Sequence, residues 1–134
     1  MTDYIAHRTS DKVKIITRLP DTLPAVRLNV ALFEWVIENL CKNAIDAMGG
    51  VGTLVISVQE ASRYWYIDVA DTGKGIDKRN FETVFAPGYT TKKRGWGLGL
   101  SLARRIVVEY HSGRIFVKHS EINKGTIFRI ELKK

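Results

Sequence analysis

Three short groups of residues have the types and spacing to do chemistry on one small molecule. Asn39 and Asn43 stand four residues apart, and Asp46 follows one turn further along. At that spacing the two amides share one face of a helix. Asparagine inside a helix is a poor former, because its side chain competes for backbone hydrogen bonds. Its neutral oxygen suits Mg²⁺, which keeps waters and bridges phosphates; a solvated polar helix face fits the pair equally well when it is taken alone. The second group is Asp71-Thr72-Gly73-Lys74-Gly75-Ile76, at the end of the alternating apolar run Tyr64–Val69. Gly73 and Gly75 let the backbone pass close to a ligand, and Asp71 offers an acceptor to an exocyclic amine. The bland alternative is an exposed tight turn. The third group is Gly95-Trp96-Gly97-Leu98-Gly99-Leu100, alternate glycines opening a helix. Backbone N–H groups at such a start form a phosphate site, and a flexible linker is the competing reading. The spacing is neither G-x-G-x-x-G after a strand nor the P-loop G-x-x-x-x-G-K-[ST].

The elements that must position these residues follow from periodicity. Lys12 to Leu19 alternates as a strand, which Pro20, Asp21 and Pro24 end. Asn29 is an N-cap for a long helix to about Met48, with Phe33, Ile37, Leu40, Ala44 and Met48 as its buried stripe. Gly49, Gly50 and Gly52 stop it. Thr53–Glu60 and Tyr64–Asp71 read as an antiparallel hairpin, and Asp77 caps one short helix through about Phe85. Residues 86–96 form a loop, Leu98 to Tyr110 a second helix ending near Gly113, and Arg114–His119 with Thr126–Leu132 a closing hairpin. Residues 1–11 lack periodicity and read as a frayed arm or the tail of a missing upstream element. The domain proper is 12–134. The order predicts an α+β, two-layer α/β sandwich: one mixed sheet covered by helices on one face.

Composition narrows the function classes. A chain of 134 residues with 45% hydrophobic content forms one domain with a core of its own. The single Cys41 excludes an internal disulfide and fits a reducing compartment. His7, His111 and His119 lack the spacing of metal ligands. No apolar run approaches the roughly 20 residues of a membrane span. A cytoplasmic domain is therefore expected, with a parent chain that could still be membrane-anchored. The net charge of +7 raises nucleic acid as a partner. The densest basic run, Lys92-Lys93-Arg94, sits in the glycine-rich loop rather than along a helix, so a local phosphate explains it as well. No nucleic-acid partner is expected.

Taken in order, Asn39–Ala44, Asp71–Ile76, Val84–Lys92 and Gly95–Leu100 resemble the N, G1, F and G2 boxes of the catalytic ATP-binding domain of bacterial sensor histidine kinases. That family shares the GHKL superfamily with gyrase, the Hsp90 chaperones and MutL. The resemblance spans about residues 12 to 132. It implies the Bergerat ATP-binding fold, with ATP and Mg²⁺ as the ligands. Asn43 would be the Mg²⁺ ligand, with Asn39 beside it on the phosphate side. Asp71 would accept from the adenine amine, and Gly73, Gly75 and Ile76 would line the pocket. Residues 86–96 would be a mobile lid, with Tyr89 and Thr91 in its pattern; beyond the resemblance, the charges of Lys92, Lys93 and Arg94 are able to meet the γ-phosphate. Gly95, Gly97, Leu98, Gly99 and Leu100 would sit against the phosphates. Two departures stand out: Trp96 replaces a small or hydroxyl residue, and Asp46 replaces a basic one.

The same comparison separates transfer from hydrolysis. Hydrolytic members of the superfamily carry a glutamate where Asn39 stands, and an amide cannot activate water as a base. Glu38 is adjacent but about 100° round the helix. The residues fit a domain that positions ATP for an outside nucleophile, since phosphoryl transfer needs mainly positioning and charge stabilisation. The resemblance implies a histidine on an upstream dimerisation domain as acceptor and a response regulator receiver domain downstream. Neither His7-Arg8-Thr9 nor His119-Ser120-Glu121 matches the acceptor motif. The isolated domain is expected to be a monomer. An ATPase, a protein serine kinase and a catalytically silent nucleotide-binding scaffold remain as alternatives.

Overall fold

A computed structural model describes residues 12–20, 29–87 and 99–134. The expected lid residues Tyr89, Thr91, Lys92, Lys93 and Arg94, together with Gly95, Trp96, Gly97, Leu98 and the 1–11 arm, lie outside the described residues.

The first strand, β1, is Val13–Arg18, and helix α1 is Val30–Ala47. Asn29 caps that helix through its side chain, which accepts the Leu32 N–H at 3.1 Å. Strands β2 (Gly52–Glu60) and β3 (Tyr64–Asp71) pair antiparallel. Helix α2 is described from Gly99 to Arg105 and continues in wider π-type turns over Ile106–Tyr110. Strands β4 (Arg114–Glu121) and β5 (Gly125–Lys133) close the chain. The sheet order is β1-β2-β3-β5-β4, with β1 parallel to β2 and the other pairs antiparallel. It is the mixed sheet of an α+β sandwich, as the periodicity predicts.

The core lies between α1 and one face of the sheet. Phe33, Ile37, Leu40, Ala44 and Met48 are buried as expected, and Val36 and Cys41 widen the stripe. They meet Leu54, Ile56, Ile67, Val69, Phe128 and Ile130, which come from the inward positions of three neighbouring strands. Cutting Leu40 to alanine would cost about 2–5 kcal/mol. Burial pushes the Cys41 thiol up to about 12, with the nearby Glu38 charge adding to it. This cysteine is a packing residue.

Two local expectations are corrected. The segment after Asp77 is not one helix but two 3₁₀ turns, Lys78–Asn80 and Thr83–Phe85. Its closures all skip three residues, as in Asn80 N–H to Asp77 O at 2.8 Å and Phe85 N–H to Glu82 O at 3.1 Å. Runs this short cannot repay α-helix nucleation, and β-branched Thr83 and Val84 disfavour it further. The second helix does not stay α-helical to Tyr110, because Ile106, Val107 and Val108 crowd one turn. Its end is sewn to the start of α1 by His111. Nε2 accepts the Asn29 N–H at 3.0 Å, so Nδ1 carries the hydrogen and donates to the Ile106 carbonyl at 3.1 Å.

Candidate functional site

Asn39, Asn43 and Ala47 recur every four residues along α1, so they form one stripe beside the apolar one. The stripe is about 12 Å long at 1.5 Å per residue. Both expected chemical groups that fall among the described residues meet it, one at each end.

At the C-terminal end the stripe meets the turn after β3. The Lys74 N–H donates to the Ala47 carbonyl at 2.9 Å, and a Cβ on Gly73 would stand 2.5 Å from that same oxygen. On its other side the turn is held by the β4–β5 hairpin. The Ile76 N–H donates to the Ser120 hydroxyl at 2.7 Å, and the Asn123 N–H donates to the Lys74 carbonyl at 2.7 Å. Gly75 has φ +79°, and a Cβ there would lie 2.1 Å from the Glu121 carbonyl. Only glycine satisfies both conditions.

Asp71 ends β3 with its side chain buried. Its Oδ1 accepts the Gly73 N–H at 2.8 Å. Burial pushes the carboxyl above its ordinary range, and the backbone N–H groups of Gly73 and Thr126 partly offset this. Asp68, in the same strand, is the useful contrast. It too is buried, but Arg129 forks onto it at 2.8 and 2.9 Å while stacking 4.2 Å over Tyr66. Asp68 is an ion-pair member of the sheet. Asp71 has backbone donors instead, and a carboxylate with about four acceptor positions keeps capacity for an outside donor.

At the other end of the stripe, Gly99 stands on Asn39. A Cβ at Gly99 would lie 2.7 Å from Asn39 Oδ1 and 2.9 Å from Nδ2. Asn39 Nδ2 is buried and makes no hydrogen bond, the one side-chain nitrogen or oxygen among the described residues in that state. A buried unpaired donor costs on the order of 1–3 kcal/mol. Such groups invite a ligand acceptor. Asn43 and Leu100 are half-buried, and Asp46 is exposed. Glu38 stands about 100° round the helix from Asn39, off the Asn39–Asn43 stripe.

The structure thus joins Asn39, Asn43, Asp71, Gly73, Gly75 and Gly99 through one helix stripe. Sequence reasoning missed Ala47, Ser120 and Thr126, which hold the stripe and the turn in place. The signals were faint: Ala47 continues the four-residue spacing, whereas Ser120 and Thr126 acquire their roles only through strand register.

The family model for histidine kinase-, DNA gyrase B- and HSP90-like ATPases matches residues 29–134, and the chain belongs to this family. Kinases are among the proteins it resembles. Sensor histidine kinase ZraS of Escherichia coli K12 is 38% identical over 112 residues, covering 84% of this chain and 24% of that protein. Sporulation kinase C of Bacillus subtilis is 36% identical over 147 residues, covering 96% of this chain and 34% of that protein. The nucleotide-free catalytic domain of histidine kinase ThkA superposes with a TM-score of 0.80 at 28% identity, covering 99% of this chain and 84% of that one. ThkA in complex with response regulator protein TrrA gives a TM-score of 0.79 at 26% identity, and the match covers 99% of this chain and 36% of that one. The 134 residues are thus a domain of this ATPase family, and they span only a minor part of the curated kinases they match, 24% of ZraS and 34% of sporulation kinase C.

Proposed function

We propose that the domain holds ATP with Mg²⁺ along the Asn39–Asn43–Ala47 stripe and presents the γ-phosphate to a histidine on a separate dimerisation domain. Asp71 accepts the adenine amino group, and Gly73, Gly75 and Ile76 form the wall around the base. Asn39 faces the phosphates, with Gly99 and Leu100 beside it. The oxygen chemistry of Asn43 fits Mg²⁺, which when bound neutralises phosphate charge. Among the described residues there is no group of three or more His, Cys, Asp or Glu that could hold a metal. Lys92 and Arg94, with Tyr89, Thr91, Gly95, Gly97 and Leu98, complete the phosphate side in this reading.

The observation that carries transfer over hydrolysis is the buried, unpaired amide of Asn39. An N–H₂ group donates to phosphate oxygen and cannot take a proton from water. The neighbouring carboxylate Glu38 stands about 100° round the helix from Asn39. The nucleophile must then come from outside. The proposed setting is cytoplasmic, with a response regulator receiver domain as the onward acceptor, residues 12–134 as the folded unit and the isolated domain as a monomer.

The test incubates this chain with Mg²⁺, γ-labelled ATP and the separately prepared histidine-bearing domain of the parent protein. The expected product carries label that is stable to base and labile to acid. Acid-stable label on serine, phosphate release by this chain alone, or binding without turnover would each overturn the reading.

A further inference from the structure

We propose that Arg104, clasped by Glu82 and stacked on Phe85, is a positioning residue that seats α2 on Asn39 and thereby sets the phosphate half of the nucleotide site. The proposal rests on the ATP-binding reading and concerns how the triphosphate end is shaped.

Helix α2, described from Gly99, widens after Arg105 and packs against α1 and the Thr83–Phe85 turn. Ala103, on its inner face, is fully buried. Arg104, the next residue, forms a two-pronged pair with Glu82: Nη1 to Oε2 at 2.9 Å and Nη2 to Oε1 at 3.2 Å. Its guanidinium also lies 4.8 Å over the Phe85 ring. Phe85 is buried and meets Phe128 edge-on, with ring centres 6.0 Å apart and planes at 84°. Phe128 pairs with Val69, two residues before Asp71. A chain of contacts thus runs from the strand that carries Asp71, through Phe85 and Arg104, into the helix that carries Gly99.

Gly99 leaves no slack at the far end of that chain, since the Asn39 amide occupies the space a Cβ would need. A shift of α2 by a few tenths of an ångström changes the opening around an amide nitrogen that has no hydrogen-bond partner. The pair itself is exposed, with Arg104 38% and Glu82 76% accessible. Exposed pairs contribute little to global stability. Two-pronged geometry instead fixes orientation. The hydrogen bonds from Arg104 hold the Glu82 carboxyl below its ordinary range.

The experiment compares this chain with Glu82→Gln, Arg104→Met and the double variant, measuring melting temperature and calorimetric affinity for adenosine and for a non-hydrolysable Mg²⁺·ATP analogue. Each single variant should keep its melting temperature and its adenosine affinity. Each should lose on the order of tenfold in triphosphate affinity, because a small misplacement of a binding group carries such a cost. The double variant should lose no more than either single one, since the two residues act as one unit. Unchanged triphosphate affinity, equal losses for adenosine and triphosphate, additive losses, or a loss confined to Arg104→Met would overturn the proposal. The last would mark Arg104 as a direct phosphate contact. A wild-type chain that binds neither ligand would overturn the ATP-binding reading and this proposal with it.

Discussion

The two ends of the α1 stripe are built on opposite principles. Around Asp71 the polar groups already have partners: the carboxylate takes the Gly73 N–H, Lys74 is tied to Ala47, and Ile76 to Ser120. Around Asn39 the fold leaves a buried amide nitrogen with nothing to bond and closes the space with Gly99. The first end is a rigid mould for a base of fixed shape. The second holds an unmet donor that a phosphate oxygen satisfies. A nucleotide bound across both would gain recognition from the finished end and relieve a cost at the unfinished one.

Four substitutions test that contrast. The largest effect is expected from Gly75→Ala, which forces a Cβ to within 2.1 Å of the Glu121 carbonyl at φ +79°. The backbone conformation alone costs about 1–3 kcal/mol. With the clash added, chemical denaturation should show a loss at or above the top of that range, and a loss under about 1 kcal/mol would mean that the Asp71 end is not rigid.

Next comes Asp71→Asn. The amide oxygen can keep the Gly73 N–H, but the NH₂ then confronts the adenine amine, donor against donor. Nucleotide affinity should fall on the order of 100-fold, read as loss of the nucleotide-induced rise in melting temperature. The unliganded variant should melt at or above wild type at pH 7. The folded-state pKa of Asp71 is raised by burial, so its contribution to stability is fully present below its ordinary 3.8 and is lost as pH rises through the folded value. The advantage of the Asp71→Asn variant over wild type should therefore grow with pH across that window. A constant difference from about pH 3 to about pH 7 would show that the buried charge carries no cost.

Asn43→Ala should be milder: about tenfold weaker Mg²⁺-dependent nucleotide binding, with circular dichroism unchanged. Equal weakening with and without Mg²⁺ would remove Asn43 from the metal. The smallest effect is Asn39→Leu, a substitution of similar shape that deletes the orphan donor. Unliganded stability should rise by about 1 kcal/mol while triphosphate affinity falls. A loss of stability would mean that the amide is satisfied after all, and the contrast between the two ends would collapse.

Much of the fold is legible in the residues alone. The N-cap at Asn29, the apolar stripe of α1 and the β2–β3 hairpin follow from periodicity, and the pairs Asn39/Asn43 and Gly73/Gly75 stand out because such residues are poor choices unless something uses them. The 3₁₀ turns after Asp77 and the π-type turns after Arg105 were not legible. They arise where helix nucleation and side-chain crowding are nearly balanced, and packing decides. Glu82 and Arg104 look like ordinary surface charges 22 residues apart, and only the fold sets them tip to tip.

Side-chain type and spacing along the chain specify a local menu: which segments are helix or strand, which face of α1 is apolar, and which residues can offer a phosphate or a base the right atoms. These are short-range properties, and no distant contact is needed to read them. The packed molecule adds what they leave open: Ala47 anchors the Asp71 turn, Thr126 helps hold Asp71, Gly99 presses on Asn39, and Asp68 is paired while Asp71 keeps its capacity. Those outcomes depend on strand register and helix docking. Each is set by burying the whole core at once, and no residue's neighbours in the chain contain that information.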